Sequence, residues 1–333
     1  MEKIFLTILI AFSVGIFLSP IIISFAKKLK ANQTIYEYVD MHKAKSGTPT
    51  LGGVIFILAI TISLLFVLDE NSKLSLITIV VMLAYGIIGF LDDFIKIKCA
   101  RNLGLRPYQK IIGQLAIAII IGVFVYKSNL VGTKIFIPFT TNLIDIGWWI
   151  IPLTILVFIA TTNSVNLTDG LDGLAGGTSL AFITSFLFVF YILLQKQNLP
   201  SNVLLFEQKN LFLVCGAGIG SLLAYLIFNC YPAKIFMGDT GSLALGGLIS
   251  CLCVFSKQTL LLPILGACFV ASSVSVIMQV CYYKLTKKRI FLMAPLHHHF
   301  EKKGMNETRI AVIYIIITFI IGVGSVLTTL LIN

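Results

Sequence analysis

The sequence predicts an all-α integral membrane protein, built as a bundle of about ten transmembrane helices. Hydrophobic residues make up 58% of the 333 residues and charged residues only 12%, and the mean hydropathy is +0.99, which lies outside the usual composition of a soluble domain. The apolar runs are about as long as the roughly 20 residues that a helix needs to cross the hydrocarbon core. They are too long, and alternate too little, for the strands of a membrane barrel.

Apolar runs bounded by charged or turn residues define the predicted spans. They lie near residues 4–25, 51–68, 74–91, 111–127, 146–163, 174–194, 210–228, 242–256, 259–284 and 309–332. The first run has no small-residue cleavage site before Lys27, so we expect a retained span rather than a removable signal. Because no linker or internal repeat stands out, residues 1–333 are predicted to form one polytopic domain.

Two connections carry further structural signals. Polar residues 256–258 interrupt the apolar stretch 242–284, which favours two spans over one broken helix, and Pro263 predicts a kink near the start of the second of these spans. Apolar residues alternate around Pro138, which predicts a small hairpin within residues 128–145.

Lysine and arginine are divided unequally between the two ends of the predicted bundle. Because successive spans alternate in direction, eighteen of the 25 Lys and Arg residues fall on one side and seven on the other. The positive-inside rule makes the richer side cytoplasmic. This assignment predicts that both termini are extracytoplasmic.

The formal net charge of +11 does not indicate a nucleic-acid partner. Basic residues in a polytopic protein mark cytoplasmic loops and contact anionic lipids, so we expect membrane lipids and no nucleic acid around the chain. Seven cysteines lie mostly in apolar runs and include no Cys-x-x-Cys pair. They therefore indicate neither a disulfide framework nor a zinc site.

Aspartates from three connections are predicted to meet at the cytoplasmic end of the bundle, which we expect to hold the active site. Asp92 and Asp93 end the third span, Asp169 and Asp172 lie in the glycine-rich stretch 163–177 between the fifth and sixth spans, and Asp239 joins the seventh span to the eighth. Carboxylates on one membrane surface indicate a divalent cation such as Mg²⁺ that holds a phosphorylated ligand. Asp92 and Asp93 are adjacent, so on a helix they point about 100° apart and should have different tasks.

The stretch from Phe236 to Ser242 precedes an apolar helix, and its glycines and hydroxyls could offer donors to a phosphate at that helix's N-terminus. The alternative is that Asp239 or Ser242 is only an N-cap. A transporter is the rival class of function, but it would be expected to place its charged groups nearer the midplane of the membrane.

Five motifs, in order along nearly the whole chain, resemble those of the polytopic polyprenyl-phosphate sugar-1-phosphate transferases. They are Lys45 to Gly53, Gly89 to Lys96, Asn163 to Gly177, Asn229 with Phe236 to Ser242, and Pro295 to Glu301. The resemblance is greatest to members that act on a muramoyl-pentapeptide. It implies transfer of phospho-N-acetylmuramoyl-pentapeptide from UDP-N-acetylmuramoyl-pentapeptide to undecaprenyl phosphate, giving lipid I and UMP for peptidoglycan synthesis. It also implies an Mg²⁺ cofactor and the bacterial cell (inner) membrane. The sequence leaves the oligomeric state open, and a second copy of the chain, as a homodimer, is a further candidate partner.

The resemblance also implies site residues. The metal ligand is Asp239, the paired catalytic aspartates are Asp92 and Asp93, and Asn166 matches a further motif position. The implied uridine contacts are Lys45, Asp169, Leu171, Asp172, Asn229 and Phe236. Asp92 is the predicted base that deprotonates the lipid phosphate, although an aspartyl-phosphate intermediate on one of the pair is also reasonable.

Three adjacent histidines, His297, His298 and His299, lie in a basic loop. Such residues can bind transition metals or be plain surface groups. We favour contact with the phosphate or sugar of the substrate, with His298 contributing to catalysis and its neighbours to binding. The near alternative to the muramoyl reaction is a sister transferase that moves N-acetylglucosamine phosphate, whose family lacks this histidine motif.

Overall fold

The computed structural model describes residues 2–29, 47–99, 104–196 and 201–331. Within these residues the chain forms α-helices, one two-stranded sheet and two 3₁₀ turns. The helices are α1 (Glu2–Lys28), α2 (Gly53–Val67), α3 (Lys73–Cys99), α4 (Pro107–Lys127), α5 (Ile150–Thr168), α6 (Leu174–Lys196), α7 (Asn202–Asn229), α8 (Gly238–Phe255), α9 (Leu262–Leu265), α10 (Ala267–Thr286), α11 (Leu296–Lys302) and α12 (Glu307–Leu330). The strands are β1 (Lys134–Phe136) and β2 (Leu143–Asp145), and the 3₁₀ turns are Gly147–Trp149 and Thr259–Leu261.

Nine of the described helices are long and apolar enough to cross a membrane, and only α2, α9 and α11 fall outside this group. Helix α2 is apolar but has 15 residues, so it is about 22 Å long, less than the ~30 Å hydrocarbon core. The predicted all-α membrane bundle of about ten helices is confirmed. The inside-outside orientation stays a prediction.

The predicted ninth span, 259–284, differs from the structure at its start. A 3₁₀ turn and the four-residue helix α9, which contains Pro263, precede α10, and Gly266 separates α9 from α10. Proline removes a helix donor and clashes with the preceding turn, so the long helix begins only after it. The two-span prediction for 242–284 is confirmed, since α8 ends at Phe255.

Helix α8 forms the centre of the bundle. Every residue from Thr240 to Phe255 is buried, and α3, α5 and α2 pack against it. A helix that is apolar on all sides is typical of such a central position. Helices α1, α10 and α12 lie at the periphery and expose many large apolar side chains, as expected for surfaces that face lipid.

The two ends of the bundle are chemically different. Helix α8 starts beside the end of α3 that carries Asp92 and Asp93, and it ends near Lys257. The carbonyl of Lys257 accepts a hydrogen bond from the N–H of Phe136 in the predicted hairpin, whose antiparallel register pairs Lys134 with Asp145. The hairpin and the aspartates therefore lie at opposite ends of α8.

Candidate active site

The last part of α3 meets the first turn of α8 at the carboxylate end of the bundle. Gly89 permits this contact, because a Cβ at that position would lie 2.1 Å from the carbonyl oxygen of Asp239. The close approach brings together the carboxylates of Asp92, Asp93 and Asp239, each of which has an oxygen within 4.8 Å of the other two. Three of the predicted site aspartates thus form one cluster.

Asp93 caps helix α8 from a different helix. Its carboxylate accepts hydrogen bonds from the backbone N–H of Asp239 (3.2 Å) and from the N–H and hydroxyl of Thr240 (2.9 and 2.6 Å). These donors compensate for the desolvation of a side chain that is only 4% exposed, and the charge stabilises the positive end of the helix dipole. The sequence predicted that donors at the N-terminus of α8 bind a phosphate, but Asp93 already accepts hydrogen bonds from some of them. The alternative expectation, an N-cap by Asp239 or Ser242, is wrong, because the capping side chain is Asp93.

Two lysines bridge the other two carboxylates. The ammonium nitrogen of Lys96 lies 2.6 Å from Asp92 Oδ2 and 3.0 Å from Asp239 Oδ2. The ammonium of Lys110, from α4, lies 2.6 Å from Asp239 Oδ2 and 3.6 Å from Asp92 Oδ2. In the sequence, Lys110 indicated only topology, and Lys96 also ended the second motif but had no predicted role. A signal was nevertheless present, because Lys96 follows Asp92 by four residues and therefore shares its helix face.

The cluster has the donor set of a magnesium site. When ionised, three carboxylates face two ammonium groups, which leaves a net negative charge. Carboxylate oxygens are the ligands that Mg²⁺ prefers, and the ion is usually held by one or two of them together with substrate phosphates. Because Asp93 is engaged with α8, Asp92 and Asp239 are the best placed to hold a cation.

Asn166, predicted as a substrate contact, lies beside the cluster. Its Nδ2 donates hydrogen bonds to Asp239 Oδ1 and to Ser242 Oγ, both at 2.8 Å. The amide therefore holds the second oxygen of Asp239 while the lysines contact the first. Any direct contact of Asn166 with substrate stays a prediction.

The turn between α5 and α6 is tied to two other parts of the chain. The N–H of Asp172 donates to Glu307 Oε1 (2.7 Å), and Asp172 Oδ2 accepts from the N–H of Ala233 (2.9 Å). Leu171 is buried in a small apolar cluster with residues of α12. Glu307 was not predicted, because a single acidic residue at the start of a span gives no sequence signal for such a distant contact.

Asn229 completes this framework. Its Oδ1 accepts from the N–H of Gly173 (3.1 Å), and its Nδ2 donates to the carbonyl of Ile235 (2.9 Å). Asp172 and Asn229, both predicted to contact uridine, thus join the α5–α6 turn to the α7–α8 connection and to the start of α12. Their direct contact with a nucleotide stays a prediction.

Asp169 and Phe236 are more accessible than these framework residues, since both are partly exposed. Desolvation by the surrounding residues, together with the nearby carboxylates of Asp239, Asp93 and Asp172, holds the pKa of Asp169 well above its usual value. A carboxyl group with a raised pKa stays protonated over a wider pH range, so it can donate a hydrogen bond to an acceptor on a ligand. This property fits the predicted contact of Asp169 with substrate.

Lys45 lies outside the described residues, but the rest of its motif is placed at the site. The N–H of Phe236 donates to the carbonyl of Pro49 (2.8 Å), and the N–H of Gly52 donates to the carbonyl of Phe236 (2.7 Å). The first and fourth of the five motifs are therefore joined through backbone hydrogen bonds.

The three histidines lie on α11 and differ in environment. His297 is completely buried, neither of its ring nitrogens has a hydrogen-bond partner within the described chain, and burial lowers its pKa to about 3. Its Nε2 packs against Gly170, where an added Cβ would lie 2.3 Å away. His298 Nδ1 lies 2.8 Å from Glu301 Oε2, whereas His299 Nδ1 accepts from a backbone N–H. His297 is thus placed to position the Asp169 turn, and only its neighbours are accessible to substrate.

Comparison with known proteins identifies the relatives of this chain. The model of glycosyl transferase family 4 matches residues 74–257, which include the aspartate cluster. Two proteins named phospho-N-acetylmuramoyl-pentapeptide-transferase, from Desulfitobacterium hafniense and Bacillus subtilis, are each 42% identical to this chain. The first match covers 98% of this chain and 97% of the relative, and the second covers 94% of both. The chain belongs to the phospho-N-acetylmuramoyl-pentapeptide transferase family.

This membership confirms the resemblance that the five motifs indicated. The histidine helix α11 lies beyond the glycosyl transferase family 4 match but inside the segment shared with the relative from Desulfitobacterium hafniense. Membership also disfavours a transporter. The chain is a multi-pass membrane transferase.

Proposed function

We propose that this chain transfers phospho-N-acetylmuramoyl-pentapeptide from UDP-N-acetylmuramoyl-pentapeptide to undecaprenyl phosphate, which yields lipid I and UMP. The observation that carries this proposal is the aspartate cluster with its two lysines, at one end of a membrane bundle in a chain so similar to transferases of that name. In the reaction, an oxygen of the lipid phosphate bonds to the sugar-bearing phosphorus of the UDP substrate. The bond from that phosphorus to the bridging oxygen breaks, and UMP leaves with the electron pair.

Asp239 is the residue that would hold Mg²⁺ at this site, and Asp92 lies beside it. When bound, the ion would neutralise pyrophosphate oxygens as negative charge develops on the departing UMP. The ammonium groups of Lys96 and Lys110 are placed to add positive charge at the same point, because both already contact these carboxylates.

Asp92 is the member of the aspartate pair that is suited to chemistry. The oxygens of Asp93 are engaged by three donors of α8, whereas Asp92 accepts one backbone hydrogen bond, from Leu105, and pairs with lysine. We infer that Asp92 deprotonates the lipid phosphate. The covalent route, with attack by an aspartate on the pyrophosphate, uses the same residue and is the second pathway to test.

The substrate would lie across the turn that connects α5 and α6. Asp169 and Phe236, with Lys45 from the motif that adjoins Phe236, are the proposed contacts of the uridine moiety. His298 and His299 on α11 would meet the sugar or its peptide arm, because α11 packs against the same turn through Gly170.

The proposed location is the bacterial cell (inner) membrane, with the site at the cytoplasmic face. A soluble UDP substrate and a lipid acceptor can meet only at a membrane surface, and the carboxylates lie at one end of the bundle. A homodimer is also proposed, with the apolar surfaces of peripheral helices such as α1 and α12 as the candidate contacts between the two copies.

Transfer of radiolabelled sugar phosphate into lipid tests the reaction directly. Purified protein, undecaprenyl phosphate and Mg²⁺ should convert UDP-N-acetylmuramoyl-pentapeptide to a labelled lipid and release UMP. UDP-N-acetylglucosamine should give little product under the same conditions. Equal or faster transfer from UDP-N-acetylglucosamine would replace our proposal with the sister reaction.

A further inference from the structure

A cavity lies at the opposite end of the bundle from the aspartate cluster. It has a volume of about 590 Å³ and forms where the start of α1, the α2–α3 connection, the end of α6 and the start of α7 meet. This volume falls within the range of small-ligand sites, roughly 300–1,000 Å³. None of its lining residues takes part in the proposed transfer reaction.

The cavity is amphipathic. Its apolar lining consists of Ile4, Tyr191, Leu194, Phe206, Phe212 and Leu213. Four charged residues also line it: Glu2, Lys3, Asp69 and Lys209. An apolar wall beside opposite charges matches the junction between the headgroup and the acyl chains of a phospholipid.

The wall that carries Asp69 is held in place by buried polar side chains. Asn210 Oδ1 accepts from the N–H of Asp69, and its Nδ2 donates to the carbonyls of residues 70 and 71, all at 3.2 Å. The carboxylate of Glu207 accepts from the N–H groups of residues 73 and 74 at 3.1 and 2.8 Å. The cavity is therefore largely formed in advance, which lowers the entropic cost of binding.

Of the four charged residues in the cavity, Lys3 and Asp69 form an ion pair, whereas Lys209 and Glu2 do not pair with each other or with them. Lys3 donates to both carboxylate oxygens of Asp69, at 2.6 and 2.5 Å. The ammonium of Lys209 lies 5.7 Å from the centre of the Phe206 ring, which also lines the cavity, but no carboxylate of the described residues lies within ion-pair distance of it. No cation of the described residues lies within that distance of Glu2. One cation and one anion thus remain for a ligand that carries both signs.

We propose that this cavity binds the headgroup of a zwitterionic phospholipid of the ethanolamine class. Lys209 holds the phosphate, Glu2 holds the ammonium group, and the apolar wall contacts the first methylenes of an acyl chain. The bilayer supplies such a ligand at the depth of the helix ends, so the site would be filled from the surrounding membrane.

Binding of short-chain phosphatidylethanolamine to the full-length protein in detergent tests the proposal. The shift in melting temperature, measured against lipid concentration, gives the affinity. Lys209→Ala and Glu2→Gln should each weaken binding by about tenfold or more, the range for a lost charge-assisted hydrogen bond. Lys134→Ala is the matched control, because Lys134 lies at the same end of the bundle but outside the cavity, and it should bind normally.

Three further results would overturn the proposal. Equal affinity for short-chain phosphatidylglycerol, which has no ammonium group, would show that Glu2 does not bind the headgroup. Equal affinity for soluble glycerophosphoethanolamine, which has no acyl chains, would show that the apolar wall does not contribute to binding. Normal binding by Lys209→Ala and Lys209→Gln, with unchanged melting temperatures, would place the lipid elsewhere.

Discussion

Asp93 of helix α3 accepts hydrogen bonds from both the N–H and the hydroxyl of Thr240, at 2.9 and 2.6 Å, and so caps helix α8 across the helix–helix interface. This contact separates the tasks of two adjacent aspartates. Asp93 holds the central helix in position, and Asp92, one residue earlier, contacts the ammonium groups of Lys96 and Lys110.

The capping contact predicts a stability effect for Asp93→Ala. The change leaves the buried donors of Thr240 without an acceptor, so the free energy of unfolding should fall by about 2–3 kcal/mol. Thermal unfolding of purified protein measures this. Asp92→Asn is the comparison: it should lose transfer activity and keep most of the stability. A melting temperature for Asp93→Ala equal to that of the parent would contradict the capping assignment.

Asp239→Asn should abolish transfer while the fold is kept. The change preserves volume but removes one negative charge from the proposed first shell of Mg²⁺, so the ion is held more weakly. The concentration of Mg²⁺ that gives half-maximal activity is the measurement, with Asp145→Asn in the hairpin as the control at the other end of the bundle. Near-normal turnover of Asp239→Asn at ordinary Mg²⁺ would move the metal to another aspartate.

Gly170→Ala should lower turnover by roughly 10- to 100-fold, because a shift of about 1 Å in a positioned group can cost this much. The new Cβ would lie 2.3 Å from His297 Nε2 and 3.1 Å from His298 Nε2, so α11 must move away from the Asp169 turn. Steady-state transfer assays measure the effect. Gly324→Ala is the matched control, since nothing lies within 4 Å of its added Cβ. Similar activity of both variants would show that α11 does not position the turn.

Buried His297 predicts a loss of stability at acidic pH. Its pKa is about 3 in the folded protein and about 6.5 when unfolded, so the unfolded chain binds more protons between these values. Stability should therefore fall as the pH drops below about 6.5, by up to ~1.4 kcal/mol per pH unit. In His297→Phe, the slope of stability against pH between 6.5 and 5 should be shallower by that amount.

His299→Phe provides the comparison, because His299 is only partly buried, so its replacement should change the slope much less than that of His297. An identical slope in His297→Phe and the parent would mean that His297 takes up protons in the folded state.

The predicted orientation can be tested by labelling with an impermeant thiol reagent. In a cysteine-free background, Lys288→Cys in the basic loop should be protected in intact cells, and Asn71→Cys in the α2–α3 connection should be labelled, because the positive-inside rule places the basic loop in the cytoplasm. The reverse pattern would place the aspartate cluster on the outer face.

The sequence by itself determined the membrane fold, nearly all of the spans and the family. Hydropathy is a local property of the sequence, so the apolar run of α7 can be recognised without knowing which helices pack against it. For the same reason, the polar residues 256–258 are enough to separate α8 from the next apolar run. Alternation of spans then indicated that Asp92, Asp93 and Asp239 share one end of the bundle. Motif order was enough to identify the transferase family.

Only the tertiary structure decided which atoms meet at that end. The backbone contact at Gly89 sets Asp93 against the donors of α8, and the packing of α4 against α3 brings Lys110 from a third helix to Asp239. Burial of His297 beneath the Asp169 turn likewise depends on how α11 packs. The physical reason is that span order fixes the depth of a residue along the membrane normal, whereas the distances of a few ångströms that define a site depend on helix rotation and close packing.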